Sequence, residues 1–371
     1  MAATRSDVAR AAGVSPAVVS YVLNDGPRGV APATRRRVLD AIDRLNYRPN
    51  RVASSLRSQR TMSVGLIVPD NTNPYFAELA RCVEDAAFER GFTLLLANSA
   101  GDVDRERSQL HELLDRCVDG LFFIPSHHQV PALDEILASS TRFAVLDRWI
   151  DDDRIGLQIL SDNAEGGRLA TEHLLGHGRR RIACIAGPES MGNAQERVRG
   201  WREALETDDP AELGPVARIP ISRFSAREAM LGLLREDHEI DALFVASDEQ
   251  AIGVLRALRE TGLDCPTDVA VASFDGTSYA ALTTPGLTTV QQPIEQIARR
   301  AMAALFDAPE GAAETGGGDN ARCLSGASVG APGSGSPLVD RLPVSLVTRG
   351  SCGCPDVFED ATSPVKQGAA R

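Results

Sequence analysis

A chain of 371 residues, 43% apolar and 24% charged, is too long for one small core and suits a small domain beside one or two larger ones. No apolar run of about 18 uncharged residues is present to span a membrane and no secretory h-region opens the chain, so a cytoplasmic protein is expected; seven cysteines, an odd number, argue against a disulfide framework. The net charge of −12 is unevenly spread: residues 1–60 carry eleven arginines against four aspartates, a balance of +7, leaving −19 on the remaining 311, the asymmetry of a basic nucleic-acid module on an acidic body.

Residues 4–24 read as two short helices around a tight turn. Thr4 and Asp7 form a capping-box pattern, Val8, Ala9, Ala11 and Ala12 supply an apolar face, and Gly13 stops the helix. Ser15 then caps a second helix with Pro16 in its first turn. Val18, Val19, Val22 and Leu23 fall on its inward side, and Ala17, Ser20, Tyr21 and Asn24 on the opposite face. A third helix after Pro32 turns Val38, Leu39, Ile42 and Leu45 inward and Arg35, Arg36 and Arg37 outward. Helix, glycine turn and exposed second helix are the helix-turn-helix plan, and the charge excess favours DNA over a protein-binding module. From Tyr47 to Ser58, Asn50 could cap a helix of about eight residues, too short to stand alone in water. Such a segment orders against a partner or stays a linker.

From Ser63 onward short apolar runs alternate with amphipathic stretches. Strands are expected at 63–69, 92–97, 119–124, 142–147, 182–186, 216–220, 242–246, 268–273, 287–291 and 342–347, with helical patterns at 76–90, 105–117, 165–175, 197–206 and 250–260. Alternation of this kind builds parallel sheets covered on both faces, and ten strands favour two lobes over one open sheet. Asp70, Asn71, Asn73, Asp147, Arg148, Asp248 and Asp275 follow strands, where ligands of α/β sheets sit. No dinucleotide loop, P-loop, metalloprotease or nucleophile-elbow pattern is present, which argues against an enzyme. His173 and His177 are spaced i, i+4, but Gly176 and Gly178 end the helix between them and no third ligand is evident; a structural role is expected, as for His127-His128. Cys352-Gly-Cys354 is too closely spaced for a C-x2-C half-site, so neither a metal nor a cofactor is expected. Residues 309–337, rich in Gly, Ser and Ala, and the tail after Cys354 lack the apolar content to fold.

The strings Asp7-Val-Ala-Arg-Ala-Ala-Gly-Val-Ser15, Val18-Val-Ser-Tyr-Val-Leu-Asn24, Thr34-Arg-Arg-Arg-Val-Leu and Asn46-Tyr-Arg-Pro-Asn50 with Leu56 resemble the headpiece and hinge of the LacI/GalR regulators. Val64-Gly-Leu-Ile-Val-Pro-Asp70, Asn73-Pro-Tyr-Phe-Ala-Glu78, Val118-Asp-Gly120, Glu172-His-Leu-Leu175, Ser273-Phe-Asp-Gly276 and Leu287-Thr-Thr-Val290 extend the resemblance through the body. It implies a small all-α helix-turn-helix headpiece (1–47), a hinge helix or linker (48–60), and an α/β effector-binding and dimerisation domain (61–350). That domain is a two-lobed periplasmic-binding-protein-like I fold with parallel sheets, interrupted by the disordered insertion 309–337 and followed by a disordered tail (351–371). The implied activity is that of a repressor without catalytic function, a homodimer on double-stranded operator DNA, controlled by a small-molecule effector. The alternative is a soluble sugar-binding sensor without a DNA role.

Carried over by position, the DNA contacts are Thr4, Ser15, Pro16, Ala17, Ser20, Tyr21, Asn24, Arg28, Arg48, Asn50, Arg51, Ser54, Leu56 and Arg57. Pro16, Ala17 and Tyr21 read bases, Leu56 wedges into the minor groove, and Arg48, Arg51 and Arg57 hold phosphates. Pro16 and Ala17 have no side-chain donor or acceptor, so polar readout there is impossible, and a thymine methyl is the contact left to them. The effector cleft comprises Asn73, Tyr75, Phe76, Asp147, Arg148, Asn193, Arg197, Phe224, Asp248, Asp275 and Gln291. Paired aspartates and arginines suit adjacent hydroxyls, and Phe76 or Phe224 can stack on a sugar ring, so a carbohydrate effector is expected. Met191 departs from the polar residue of some purine-sensing relatives and favours a sugar.

Overall fold

The first helix, α1 (Arg5–Ala12), starts at a closed capping box. The Asp7 N–H donates to Thr4 Oγ1, the Thr4 N–H donates back to Asp7 Oδ2, and the helix stops at Gly13, whose φ of 66° is left-handed. Ser15 Oγ accepts from the Val18 N–H at the start of α2 (Pro16–Leu23), and α3 (Pro32–Arg44) carries its proline in the first turn. Val8, Ala9, Ala12, Val19, Val22, Val38, Ala41 and Tyr47 form their common core, with Leu23, Ile42 and Leu45 less deeply buried against it; Val18 is half-buried. Leu39, expected inward, is 43% exposed. At about 100° per residue, Val38 shares its face with Ala41, Ile42 and Leu45, and Leu39 is turned off it. The computed structural model describes residues 3–23, 29–48, 60–127, 130, 133–139, 141–206, 214–236, 239–307 and 338–356. It divides into two compact units, Met1–Thr61 and Met62–Arg371.

The second unit holds two six-stranded sheets. The first, in the order β11-β5-β4-β3-β1-β2, is parallel throughout and comprises β1 (Ser63–Val68), β2 (Thr93–Asn98), β3 (Gly120–Phe123), β4 (Arg142–Leu146), β5 (Leu157–Ser161) and β11 (Leu338–Leu342). The second, β12-β10-β9-β8-β6-β7, comprises β6 (Ile182–Ala186), β7 (Val216–Arg218), β8 (Ala242–Val245), β9 (Ala270–Asp275), β10 (Thr288–Gln291) and β12 (Ser345–Val347), which pairs antiparallel with β10. The strand period of two splits each sheet's side chains between two cores. Val64, Leu66 and Val68 of β1 pack beneath α4 (Pro74–Phe88) and α11 (Ile294–Phe306), whereas Ile67 joins the core beneath α5 (Val103–Asp115) and α6 (Leu133–Ala138). In the second sheet Ala183 and Ile185 face α9 (Arg223–Arg235) and α10 (Asp248–Thr261), and Ile182, Cys184 and Ala186 face α7 (Asn163–Gly176) and α8 (Gly192–Ala204).

The chain passes between the lobes after Ser161, after Gln291 and after Leu342. The last crossing corrects a sequence expectation. Residues 342–347 are not one strand, because Pro343 has no N–H for a ladder; Leu338–Leu342 pairs with β5 in one lobe and Ser345–Val347 with β10 in the other. Strand β5 carries a buried Gln158, whose amide bridges the N–H and C=O of Ile150, and that polar residue hid the strand from an apolar-run reading. Helices α4, α5, α7 and α10 begin earlier than periodicity suggested, because Asn73, Asp102, Asp162 and Ser247 each cap the first turn with a side-chain oxygen. The tail does not fray directly after Cys354, since Asp356 accepts from the Gly286 N–H at 3.0 Å. The expected disordered insertion 309–337 and the tail beyond 356 lie outside the described residues.

Candidate functional site

On the first unit, α2 leaves Pro16 and Ala17 exposed, with Ser20 and Tyr21 half-buried beside them, and Arg36, Arg37 and Arg48 are exposed as well. Ser15 and Thr4 are both engaged in capping; Thr4 Oγ1 also donates to Asp7 Oδ2 at 2.6 Å. Asn24, Arg28, Asn50, Arg51, Ser54, Leu56 and Arg57 lie outside the described residues.

In the second unit the strand ends of both lobes contribute to a buried polar cluster. From the first lobe come Tyr75, in the opening turn of α4, and Asp147 and Arg148, just after β4. The Tyr75 hydroxyl donates to Asp147 Oδ1 at 2.8 Å and lies 3.2 Å from Gln292 Oε1. Arg148 stacks over Phe76 at 5.6 Å and donates from Nη1 to the Pro125 carbonyl, while its buried Nε has no hydrogen-bond partner among the described residues. From the second lobe come Arg197, on α8, and Asp275, at the end of β9. Arg197 donates to Asn163 Oδ1 (2.8 Å), the Ala246 carbonyl (2.6 Å) and Asp275 Oδ1 (3.2 Å), with its guanidinium 3.7 Å above the Phe274 ring. Gln292, at the second crossing, donates from Nε2 to Asp275 Oδ1 at 2.9 Å, so one hydrogen-bonded chain runs from Asp147 through Tyr75, Gln292 and Asp275 to Arg197.

Two backbone features set this geometry. Asp147 and Asp275 both adopt positive φ, 64° and 117°, a strained conformation for a non-glycine residue. Gly276 then turns at φ 73° so close to Gln291 that a Cβ would lie 2.5 Å from its Cα. Burial pushes the Asp275 carboxyl up to about 8, with the like charges of Asp248 and Asp147 adding to the rise and Arg197 opposing it. Burial, and then Asp147, raises Tyr75 well above the ordinary phenol range, so it stays a donor.

The remaining expected residues divide. Asn73 caps α4 through Oδ1, and Asn193 is buried with its Oδ1 accepting from the Ala194 N–H. Asp248 is a brace behind the cluster: Ser273 and Thr289 donate to one oxygen, and the Thr277 N–H and hydroxyl donate to the other. Phe224 opens α9 with 76% of its surface exposed. Gln291 points to solvent and donates to the Gly276 carbonyl; its neighbour Gln292 is the glutamine in the cluster. Gln292 was missed because it lies in a crossing, outside any strand pattern, and Asn163 because it opens α7 ahead of the helical pattern that begins at residue 165. The signal available was the adjacent pair Gln291-Gln292, of which strand alternation hides one and exposes the other.

The family model for bacterial regulatory proteins, lacI family, matches residues 4–50, and that for the periplasmic binding protein-like domain matches residues 171–319. The chain is 32% identical over 306 residues to the HTH-type transcriptional repressor PurR of Aliivibrio salmonicida, covering 82% of this chain and 92% of the relative. It is 36% identical over 308 residues to the ribose operon repressor of Escherichia coli, with the same coverage. The crystal structure of the Lac repressor dimer bound to operator and an anti-inducer superposes with a TM-score of 0.78 at 27% identity, covering 95% of this chain and 99% of that one.

Proposed function

Because this chain belongs to the LacI family of bacterial regulatory proteins, DNA-binding transcriptional regulators and not enzymes, we propose that it is a dimeric repressor whose hold on a two-fold symmetric operator is set by a carbohydrate in the cleft. The observation that carries the ligand reading is the pairing of Asp147 and Arg148 from one lobe with Asp275 and Arg197 from the other, all buried and linked across the lobes. Carboxylates accept from, and guanidinium groups donate to, neighbouring hydroxyls, which is the pattern a polyol presents. The buried Arg148 Nε, in ion-pair range of Asp147 Oδ2 at 3.8 Å, and the buried Ser161 Oγ make no hydrogen bond among the described residues, and a hydroxylated ligand would supply one. Phe76, beneath Arg148, supplies the apolar surface a sugar ring needs. A nucleobase is the competing ligand, given the similarity to a repressor named PurR. Met191, which precedes α8 and makes no side-chain capping bond, offers no side-chain donor for a base edge.

Binding would move the lobe equilibrium by the ligand's differential affinity for the two arrangements. In this reading residues 1–47 are the headpiece, 48–60 the hinge and 61–350 the sensor. The Pro16–Tyr21 face of α2 enters the major groove, and arginines hold phosphates in a cytoplasmic regulator. No described helix is long and apolar enough to cross a membrane. The dimer surface is an exposed apolar set: Phe88 (79%) and Leu96 (49%) on the first lobe, Leu282 (67%) on the second. Glu78 of α4 accepts from the Ser278 N–H at 2.9 Å, joining the two lobes beside Leu282.

A thermal-shift screen of the full chain against pentoses, hexoses, disaccharides and nucleobases tests the ligand class. A carbohydrate is expected to raise the melting temperature by mass action and to change operator affinity. A response to nucleobases alone would overturn the sugar reading and leave the regulator intact.

A further inference from the structure

Two sequence features with no place in the regulator reading meet at one point of the second lobe. His173 lies on the last turn of α7 and His177 is its C-cap; because the cap residue keeps near-helical angles (φ −79°, ψ 5°), both rings stay on one face, 4.7 Å apart edge to face. Cys352 and Cys354 arrive from the C-terminal segment on either side of Gly353. Its φ of 103° makes the reversal that carries both sulfurs to the same side, and its open Cα faces the His177 ring. Cys352 Sγ lies 3.1 Å from His173 Nε2, and Cys354 Sγ lies 3.3 Å from His177 Nε2 and 3.6 Å from His173 Nε2. The four donor atoms all fall within 4.8 Å of one another.

We propose that His173, His177, Cys352 and Cys354 form a four-coordinate zinc site that staples the C-terminal segment to the end of α7. Zinc bonds of about 2.3 Å to sulfur and about 2.0 Å to nitrogen, arranged tetrahedrally, separate ligand atoms by roughly 3.3–3.8 Å, and the three sulfur–nitrogen distances given above fall within a few tenths of an ångström of that range. Two thiolates and two imidazoles are a soft donor set that favours zinc over magnesium or calcium. Four protein ligands leave no open position, so the site is structural and not catalytic. The surroundings supply an outer shell: Thr288 Oγ1 on β10 lies 3.0 Å from Cys352 Sγ, a hydrogen bond that would orient the sulfur. Cys352 is buried, whereas His177 is exposed and Cys354 half-exposed, which provides a path for the ion. The neighbouring Ser351 hydroxyl accepts from the Thr288 N–H and donates to the Val271 carbonyl, so the staple holds a segment that already edges the second sheet.

The arrangement also explains why the motif was invisible along the chain. Cys-x-Cys and His-x3-His are each half a site, and some 175 residues separate them. No other group of three or more His, Cys, Asp or Glu side chains converges in this way among the described residues.

The test uses the full-length protein, purified under reducing conditions without chelator, loaded with zinc sulfate and desalted. Mass spectrometry of the metal content is expected to return about one zinc per chain. Cobalt(II) in its place is expected to give thiolate-to-metal charge-transfer and tetrahedral d–d bands. Cys354→Ser and His177→Ala, both at the exposed side of the site, should each lower zinc retention about tenfold or more while circular dichroism stays native. Should either variant misfold, the cobalt spectrum of the unaltered protein still decides the matter. Less than about 0.1 zinc per chain, a cobalt spectrum without charge-transfer bands, or undiminished zinc in both folded variants would overturn the proposal.

Discussion

The carboxyl of Asp275 is buried near Asp147 and Asp248 with Arg197 3.2 Å away, and burial dominates, raising its pKa to about 8. In the unfolded chain the same group titrates at its ordinary value of 3.8, so between about 4 and about 8 the folded form holds a proton that the unfolded form has released. Its contribution to stability is therefore most favourable at low pH and is lost as pH rises through that window. The protein is expected to lose about 3 °C or more in melting temperature from about pH 5 to about pH 8 relative to Asp275→Asn, whose profile should be flatter; parallel profiles would count against the raised value. If sugar hydroxyls donate to this carboxylate, binding selects the ionised form and releases a proton. Calorimetry near pH 7 in two buffers of different ionisation enthalpy should then give different apparent heats, and the difference should vanish in Asp275→Asn. Arg197→Ala removes the donor shared by Asn163, Ala246 and Asp275, and hydrogen bonds to charged groups are worth about 1.5–3 kcal/mol each. Effector affinity should fall about 10- to 200-fold by titration, and a loss under about threefold would place the ligand elsewhere.

Among the elements, α2 is the one whose two faces serve different ends. Val19 and Val22 spend its inner side on the headpiece core, leaving Pro16, Ala17, Ser20 and Tyr21 outward. Two of those four are apolar and small, so a thymine methyl is the contact they can make, and in the proposed reading Tyr21 supplies the polar contact. Tyr21→Phe deletes one hydroxyl and leaves the helix intact. It is expected to cost about 1–3 kcal/mol on the preferred operator and little on random DNA, by fluorescence anisotropy at fixed salt. Equal losses on both would mean that the hydroxyl holds a phosphate. The three crossings join the lobes: Ser161, Gln292 and Pro343 lie where one sheet's last residue hands the chain to the other lobe, and two of the three border the polar cluster through Asn163 and Gln292.

For the whole molecule, the basic head (+7) and acidic body (−19) assign attraction to one end and solubility to the other. A single eight-residue reading helix reaches few bases, so specificity requires two heads at fixed spacing, and the body must pair them. Phe88, Leu96 and Leu282 are apolar surface with no other evident use in a monomer. Leu282→Asp is expected to convert the dimer to a monomer by light scattering and to weaken operator binding about 100-fold or more, with the thermal shift given by the proposed effector retained. A monomer that kept full operator affinity would refute the pairing role.

What could be read along the chain was whatever repeats locally. The charge division, the capping box and glycine stop of the headpiece, and the alternation of apolar runs with helical patterns in the body each depend on neighbours a few residues apart, and together they specified a helix-turn-helix head on a two-lobed α/β body. Tertiary structure decided matters that local period does not encode. Strand β5 carries a buried glutamine, Pro343 divides one apolar run between two sheets, and a side-chain parity at a crossing puts Gln292 inside and Gln291 out. It alone brought His173 and His177 to Cys352 and Cys354, because a site assembled from two half-motifs far apart in sequence has no spacing to read until the chain has folded.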